Sequence, residues 1–298
     1  MNPHQDQTLI SVVIPTFNRF EVTCKAIDSV LEQTHQNVEV IVVDDVSTDG
    51  SFDRLQALYS SKSNKVRLIQ NPVNAGAATG RNNGADVAKG EFIAFLDSDD
   101  IWLKEKLELQ LKDYQALTKQ ANNIILYSPS EFQSPQGYRI NPTRPLETNE
   151  KVEEYMFIHG QAIQTSGWFM SKKIFDQVKF TNNLLRHQDY DFVIRAQALG
   201  IKFRMSDKPL YSRGRGDHQQ HVGTIRDDGF SQKWIDMVKP YISRKAYYYF
   251  VLNIIVPVVV KRAPSEALAL VLKAACKGYP SFGKLKYTLL MWLKKARH

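Results

Sequence analysis

The stretch EFIAFLDSDDIW, residues 91–102, carries an apolar run from Phe92 to Leu96 that ends in three carboxylates within four residues, Asp97, Asp99 and Asp100. A short continuous apolar run of this kind reads as a strand buried on both faces. Carboxylates crowded at its end repel one another unless a cation sits among them. Hard divalent ions such as Mg²⁺ or Mn²⁺ are held by one or two carboxylates together with substrate phosphates. An Asp-x-Asp directly after a buried strand therefore points to a metal–phosphate site. The plainer alternative is a solvated loop.

Upstream, LISVVIPTF (9–17) is a second buried strand, closed by Pro15, and VEVIVVDD (38–45) is a third that also ends in carboxylates. RFEVTCKAIDSVLEQTH between them has apolar residues at Val22, Ala26, Ile27, Val30 and Leu31, a helical period. STDGSFDRLQALYSS opens with the capping candidates Ser47, Thr48 and Asp49 and continues as a helix. KVRLIQN reads as a strand, and NAGAATGRNNGADVAKG as a loop and a small-residue helix stopped by Gly90. Strands alternating with helices predict a parallel α/β sheet. In such sheets ligands bind at the carboxyl ends of the strands, where both acidic clusters stand.

Further on, LKEKLELQLKDYQAL predicts an amphipathic helix over about 103–118, and residues 121–160 read as strand and loop. SGWFMSKKIFDQV reads as a strand entering a short helix, HQDYDFVIRAQALG as a helix with Asp189 near its start, and IKFRMSDKPLYSR as one or two strands. GRGDHQQHVG is a Gly-rich loop with two histidines, in which Gly214 and Gly216 suggest a segment able to close over a ligand.

The net charge of +8 is unevenly spread: from Lys239 onward there are 12 Lys and Arg against one acid, Glu266, leaving 27 basic and 30 acidic residues elsewhere. AYYYFVLNIIVPVVV (246–260) is apolar apart from Asn253, but shorter than the roughly 20 residues of a spanning helix. Basic residues mixed with long apolar runs suit an amphipathic element on an anionic membrane surface. The alternative is a helical cap on the rest of the protein. A nucleic-acid partner is not expected, because the tail lacks interleaved polar aromatics. The two cysteines, Cys24 and Cys276, have no metal or redox spacing, and the opening MNPHQDQTL is polar, so a cytoplasmic protein is expected.

VVIPTFNR, VIVVDDVSTDGS, NAGAATGRNNG and FIAFLDSDD, in this order, resemble the inverting glycosyltransferases of family 2, over roughly residues 9–215. The resemblance implies a GT-A, Rossmann-like α/β fold: a mixed, mostly parallel sheet flanked by helices, here followed by a helical C-terminal extension. The expected division is a nucleotide-sugar-binding catalytic domain at 1–225 and a basic, apolar extension at 226–298. It implies a UDP-sugar donor and a divalent metal, Mn²⁺ or Mg²⁺. The bacterial surface-polysaccharide members it resembles imply a saccharide acceptor carried on a polyprenyl diphosphate at the inner face of the cell membrane.

Residue roles follow from the same resemblance. Pro15, Thr16, Asn18 and Arg19 would line the nucleotide pocket. Asp45, with Asp44 beside it, would read the base, helix capping being the alternative for Asp44. Asn74 and Gly76 would shape a loop near the nucleotide, and Arg81 would serve the Asp-rich motif or the sugar. Asp97 and Ser98 would touch ribose or sugar, and Asp99 would hold the metal through the diphosphate. Asp100 is an additional member whose role stays open. The family's Glu-Asp pair is here Gln188-Asp189, so Asp189 is the expected general base and Asp191 its competitor. Arg195 would pair with a carboxylate or face solvent. Arg213, Arg215, His218 and His221 are candidates to reach the diphosphate or metal, His218 first. Trp168 would stack on the acceptor or belong to the core. A nucleotidyltransferase is disfavoured because PTFNRF lacks a glycine loop. A non-catalytic protein of the same fold remains the other alternative.

Overall fold

The computed structural model describes residues 8–118, 123–134, 137–214, 229–279 and 281–295. The strands are β1 (Ile10–Thr16), β2 (Val38–Asp44), β3 (Val66–Gln70), β4 (Phe92–Phe95), β5 (Ile101–Trp102), β6 (Ile124–Tyr127), β7 (Ser130–Ser134), β8 (Gly137–Asn141), β9 (Phe169–Ser171), β10 (Lys202–Met205) and β11 (Tyr211–Ser212). Interleaved with them are α1 (Phe20–Leu31), α2 (Ser51–Lys62), α3 (Gly76–Asp86), α4 (Lys106–Thr118), α5 (Val152–Phe157), α6 (Lys172–Val178) and α7 (Gln188–Ala198). The helices α8 (Phe230–Val238), α9 (Arg244–Phe250), α10 (Val256–Arg262), α11 (Pro264–Cys276) and α12 (Phe282–Lys295) follow.

Seven strands form one sheet in the order β10-β6-β9-β4-β1-β2-β3. β1 runs parallel to both β2 and β4, with Ile10 beside Val38 and Phe92, and β2 runs parallel to β3. Only β9 is antiparallel to its neighbours, so the sheet is mixed and mostly parallel. β1 is buried along its whole length, as a central parallel strand between helical layers must be. One face packs Val12, Ile14, Val40 and Val42 against Ala26, Ile27 and Val30 of α1 and Leu55 and Tyr59 of α2. On the other face α3 approaches closely: a Cβ at Gly84 would overlap Val13, and one at Gly80 would reach Pro15. This is why α3 is built of small residues. β5, β11, β7 and β8 form a second, smaller sheet.

The chain divides into two compact units, the first comprising Met1–Glu147 and Ala162–Val222, the second Thr148–Gln161 and Gly223–His298. The segment Thr148–Gln161 thus departs from the division at 225/226. It also contains the helix α5 where strand and loop were expected. α5 is held by tertiary contacts: Phe157 meets Phe250 edge-on at 5.0 Å between ring centroids. Six residues are too few for a period to declare itself.

In the second unit the apolar run 246–260 is core. Phe250, Val251, Leu252, Ile255, Val256, Val259 and Val260 are all buried, across α9, a π-helical stretch Val251–Ile255 and α10. Among the described residues no helix is long and apolar enough to cross a membrane.

Candidate active site

The strand order reverses direction between β4 and β1, since β2 and β3 continue on the far side of β1. A crevice outside the carboxyl ends of the strands is expected at such a switch point. Thr16–Arg19 leaves the end of β1, and Asp97–Asp100 leaves the end of β4. Arg19 Nη1 lies 3.4 Å from Asp99 Oδ2, so an ion pair joins the segments leaving β1 and β4.

The β1 end is tied to the β2 end. The Asn18 N–H donates to Ser47 Oγ at 2.8 Å, and the Thr48 N–H donates to Asn18 Oδ1 at 2.7 Å. Asn18 takes a positive φ of 52° to do so, a conformation Asn tolerates better than most residues. Thr16 is buried against Thr23, hydroxyl to hydroxyl at 2.7 Å.

The two aspartates after β2 are engaged structurally. Asp44 accepts the Ser47 N–H and hydroxyl and the Gln70 amide, which folds the turn after β2. It caps no helix. Asp45 does: its carboxylate accepts the N–H groups of Ala75 (2.9 Å) and Gly76 (2.8 Å) at the start of α3, and the Asn71 amide at 2.8 Å. An anion is favoured there by the exposed N–H groups and the helix dipole. Asn74 reaches back to the Asp45 carbonyl at 3.0 Å, and Gly76 adopts a φ of 81° as α3 begins.

The acidic loop after β4 is organised by a residue not singled out above, Ser166. It lies in a 3₁₀ turn, Thr165–Gly167. Its hydroxyl donates to Asp100 Oδ2 at 2.6 Å and accepts the Asp97 N–H at 3.1 Å. The Gly214 N–H donates to the other Asp100 oxygen at 3.1 Å. A Cβ at Gly214 would overlap the Asp99 carbonyl oxygen, so only glycine permits this approach. Burial, then the neighbouring Asp97 and Asp99 charges, push the Asp100 carboxyl up to about 7, while the bonds from Ser166 and Gly214 restrain the rise. Asp100 thus ties the loop together, with both oxygens used by the protein. Ser98 beside it is buried.

Three consecutive carbonyls of that turn are held from below. Trp102 Nε1 donates to the Ser166 carbonyl (2.8 Å), Gln110 Nε2 to that of Gly167 (2.9 Å) and Lys106 Nζ to that of Trp168 (3.4 Å). Lys106 is fully buried, bonds Gln110 at 2.6 Å and lies 4.0 Å from the centre of the Trp102 ring. Burial lowers its pKa well below the ordinary lysine value. Nothing local in the sequence distinguishes Lys106 and Gln110 from a solvated face of α4.

Arg81 projects from α3 between the acidic loop and α7. Nη2 donates to Asp97 Oδ1, and Nη1 donates to Gln188 Oε1, 107 positions away. Gln188 is anchored in turn by donating to the Leu184 carbonyl at 2.8 Å. Arg81 is nearly buried, so the surface-bridge alternative does not hold. Asp189 follows on the first turn of α7, accepting the Tyr190 N–H at 2.9 Å. The residue is half-buried, and desolvation of its carboxyl pushes the pKa up to about 6. The Tyr190 N–H and Arg81 pull it down, and Asp97 pushes it up. A carboxylate poised there suits a general base near neutral pH.

The competitors near Asp189 are structural. Asp191 is buried, accepting the Thr181 hydroxyl (2.7 Å) and Arg195 Nε (2.9 Å), while Arg195 also donates to the carbonyls of Val178 and Lys179. Trp168 is fully buried against Phe180 and Phe192, with ring centroids 5.8 and 4.8 Å away, so it belongs to the core and cannot stack on an acceptor. Arg213 is exposed and lies over the Phe132 ring. Arg215, Gly216, His218 and His221 fall outside the described residues.

Among the described residues no three His, Cys, Asp or Glu side chains gather as a ready metal cage. Asp97 and Asp99, half-buried at the carboxyl end of β4, fit a hard dication that completes its shell with substrate phosphates, whereas Asp100 is committed to Ser166 and Gly214.

A mostly parallel sheet, acidic strand ends at its switch point and the buried Arg81 bridging Asp97 and the half-buried Gln188 beside Asp189 define an α/β transferase of the GT-A fold. Residues 11–179 match the family "Glycosyl transferase family 2", and the chain belongs to it. It is 34% identical over 247 residues to the amylovoran biosynthesis glycosyltransferase AmsB of Erwinia amylovora, covering 80% of this chain and 81% of that one. It is 32% identical over 196 residues to the putative colanic acid biosynthesis glycosyl transferase WcaA of Escherichia coli K12, covering 64% and 67% respectively. The fold is shared with S. aureus TarS residues 1–349, solved with UDP-GlcNAc: TM-score 0.66 at 17% identity over 96% of this chain and 92% of that one.

Proposed function

We propose that this glycosyltransferase moves a sugar from a UDP-sugar to a hydroxyl of a lipid-linked saccharide during assembly of a bacterial surface polysaccharide, with inversion. AmsB and WcaA are named for polysaccharide biosynthesis, and the TarS structure holds a UDP-sugar. The observation that carries the mechanism is the position of Asp189, with its raised pKa, electrostatically linked through Arg81 and Asp97 to the acidic loop.

In the proposed displacement, Asp189 takes the proton of the acceptor hydroxyl as its oxygen bonds to the anomeric carbon. The bond from that carbon to the diphosphate breaks, and its electron pair leaves on UDP. Arg81 holds Asp97 in place and, being cationic, keeps Asp189 ionised near neutral pH. Arg19 and Asp99 stand where the diphosphate would enter, with Pro15, Thr16 and Asn18 shaping the nucleotide side and Asn74 and Gly76 the loop beside it. Asp44 and Asp45 hold the loops that frame the base. Mn²⁺ or Mg²⁺, bound by Asp99 with Asp97 near, would offset the negative charge growing on the leaving group. His218 is proposed as a further ligand. The acceptor's polyprenyl diphosphate would place the enzyme at the inner face of the cell membrane, with the basic extension against anionic lipid.

The test is UDP release from a panel of UDP-sugars in Mn²⁺, Mg²⁺ or EDTA. One donor should turn over, with loss in EDTA and in Asp99→Ala. Asp189→Asn should bind UDP but lose transfer. No turnover of any UDP-sugar in either metal would refute the reading.

A further inference from the structure

α12 packs against α10 and α11 within the second unit. Among its described side chains, Leu285 is half-buried beside Thr288, while several large apolar residues are exposed on the other side. The most enclosed position is Thr288, fully buried, whose hydroxyl donates back to the Lys284 carbonyl at 2.8 Å. Four large apolar side chains point outward: Phe282 is 82% exposed, Leu289 42%, Leu290 50% and Leu293 42%. At about 100° per residue these four fall on one arc of roughly 100°, with Lys286 inside it. Tyr287 is also exposed, at its margin. An aqueous surface gains nothing from a contiguous apolar stripe of this kind.

Along the chain, the charge of α12 and the residues leading to it has one sign. Residues 267–298 contain seven Lys and Arg and no Asp or Glu. A lysine within an apolar arc can lay its stem along the surface and lift its ammonium to a phosphate. The run 246–260 is largely consumed as core, whereas α12 gathers four exposed large apolar side chains on one arc.

We infer that the outward face of α12, Phe282, Leu289, Leu290 and Leu293 with Lys286, is a docking surface for an anionic lipid bilayer, lying in the plane of the headgroups. This rests on, and sharpens, the membrane reading above. It gives that reading one contact element, inserted shallowly and parallel to the surface.

The experiment is co-sedimentation of the full chain with vesicles of phosphatidylcholine alone or mixed with phosphatidylglycerol. The wild type should bind the anionic vesicles, more weakly as salt rises and only feebly to the neutral ones. Leu289→Glu/Leu293→Glu should lower binding by about tenfold or more, since each change removes apolar contact and adds repulsion. Thr288 is left intact, so thermal unfolding should not move. UDP-sugar hydrolysis, measured alongside without lipid, should also be unchanged, which separates failure of this inference from failure of the catalytic reading. Equal vesicle binding by wild type and variant would overturn the inference. So would a wild type that ignores vesicles, including one whose self-association the same substitutions abolish, since the face would then join two copies of the chain.

Discussion

Ser166→Ala isolates the contact that organises the acidic loop. The wild-type hydroxyl bonds Asp100 Oδ2 at 2.6 Å and takes the Asp97 N–H at 3.1 Å. Above its pKa of about 7, Asp100 is ionised in the fold. Hydrogen bonds to charged groups contribute about 1.5–3 kcal/mol, and neutral ones about 0.5–1.5. The sign follows from the protonation states. The folded pKa lies above the unfolded carboxylate value of 3.8, so the folded state holds its proton longer and stability falls as pH climbs from about 4 through about 7. Removing the hydroxyl raises the folded pKa further, by about one unit or 1.4 kcal/mol. The loss in Ser166→Ala should therefore be about 1 kcal/mol near pH 5.5 and about 2–3 kcal/mol near pH 8.5. Urea unfolding with EDTA present at both values measures it. A loss of the same size at the two pH values would refute the placement of Ser166 against a charged Asp100.

Other expectations test the remaining parts. The kcat/KM of transfer should fall below about pH 6, because the base must be unprotonated and Asp189 sits at about 6; a flat profile down to pH 5 would remove Asp189 from that role. Gly214→Ala should weaken Mn²⁺–UDP binding about tenfold or more, because the added methyl displaces the Asp99 backbone; unchanged calorimetric affinity would contradict the close approach. Lys106 binds its proton more weakly in the fold than at the ordinary value of 10.5, so the unfolded state holds more protons and wild-type stability should rise with pH toward 10.5. Lys106→Met should flatten that slope in urea melts; an unaltered slope would mean the amine is charged where it lies.

Much of the architecture was legible in the sequence because it is local. An apolar run of four to seven residues closed by polar ones makes a buried strand wherever it falls, and a 3.6-residue period makes a helix. The acidic residues at the strand ends were legible too, and they stand at the edge where a parallel sheet is expected to take its ligands. The place of Asp189 on the first turn of α7 was readable from the helical period, while its proposed role as base came from the family resemblance.

Roles that depend on partners far along the chain were not readable. Asp191 looks as available as Asp189 until Thr181 and Arg195 enclose it. Trp168 could face a sugar until Phe180 and Phe192 cover it. Ser166 carries no motif, yet it meets Asp100 across 66 positions. The two apolar parts of the tail also look alike in composition, but one is packed as core and the other shows its leucines to the outside. The sequence by itself determined the alternation of strands and helices and the charge at the strand ends, since period and composition act over neighbouring residues. Which carboxylate is desolvated, which is bonded and which apolar face stays uncovered was decided only by the tertiary structure, because burial and hydrogen bonding depend on what the fold brings alongside.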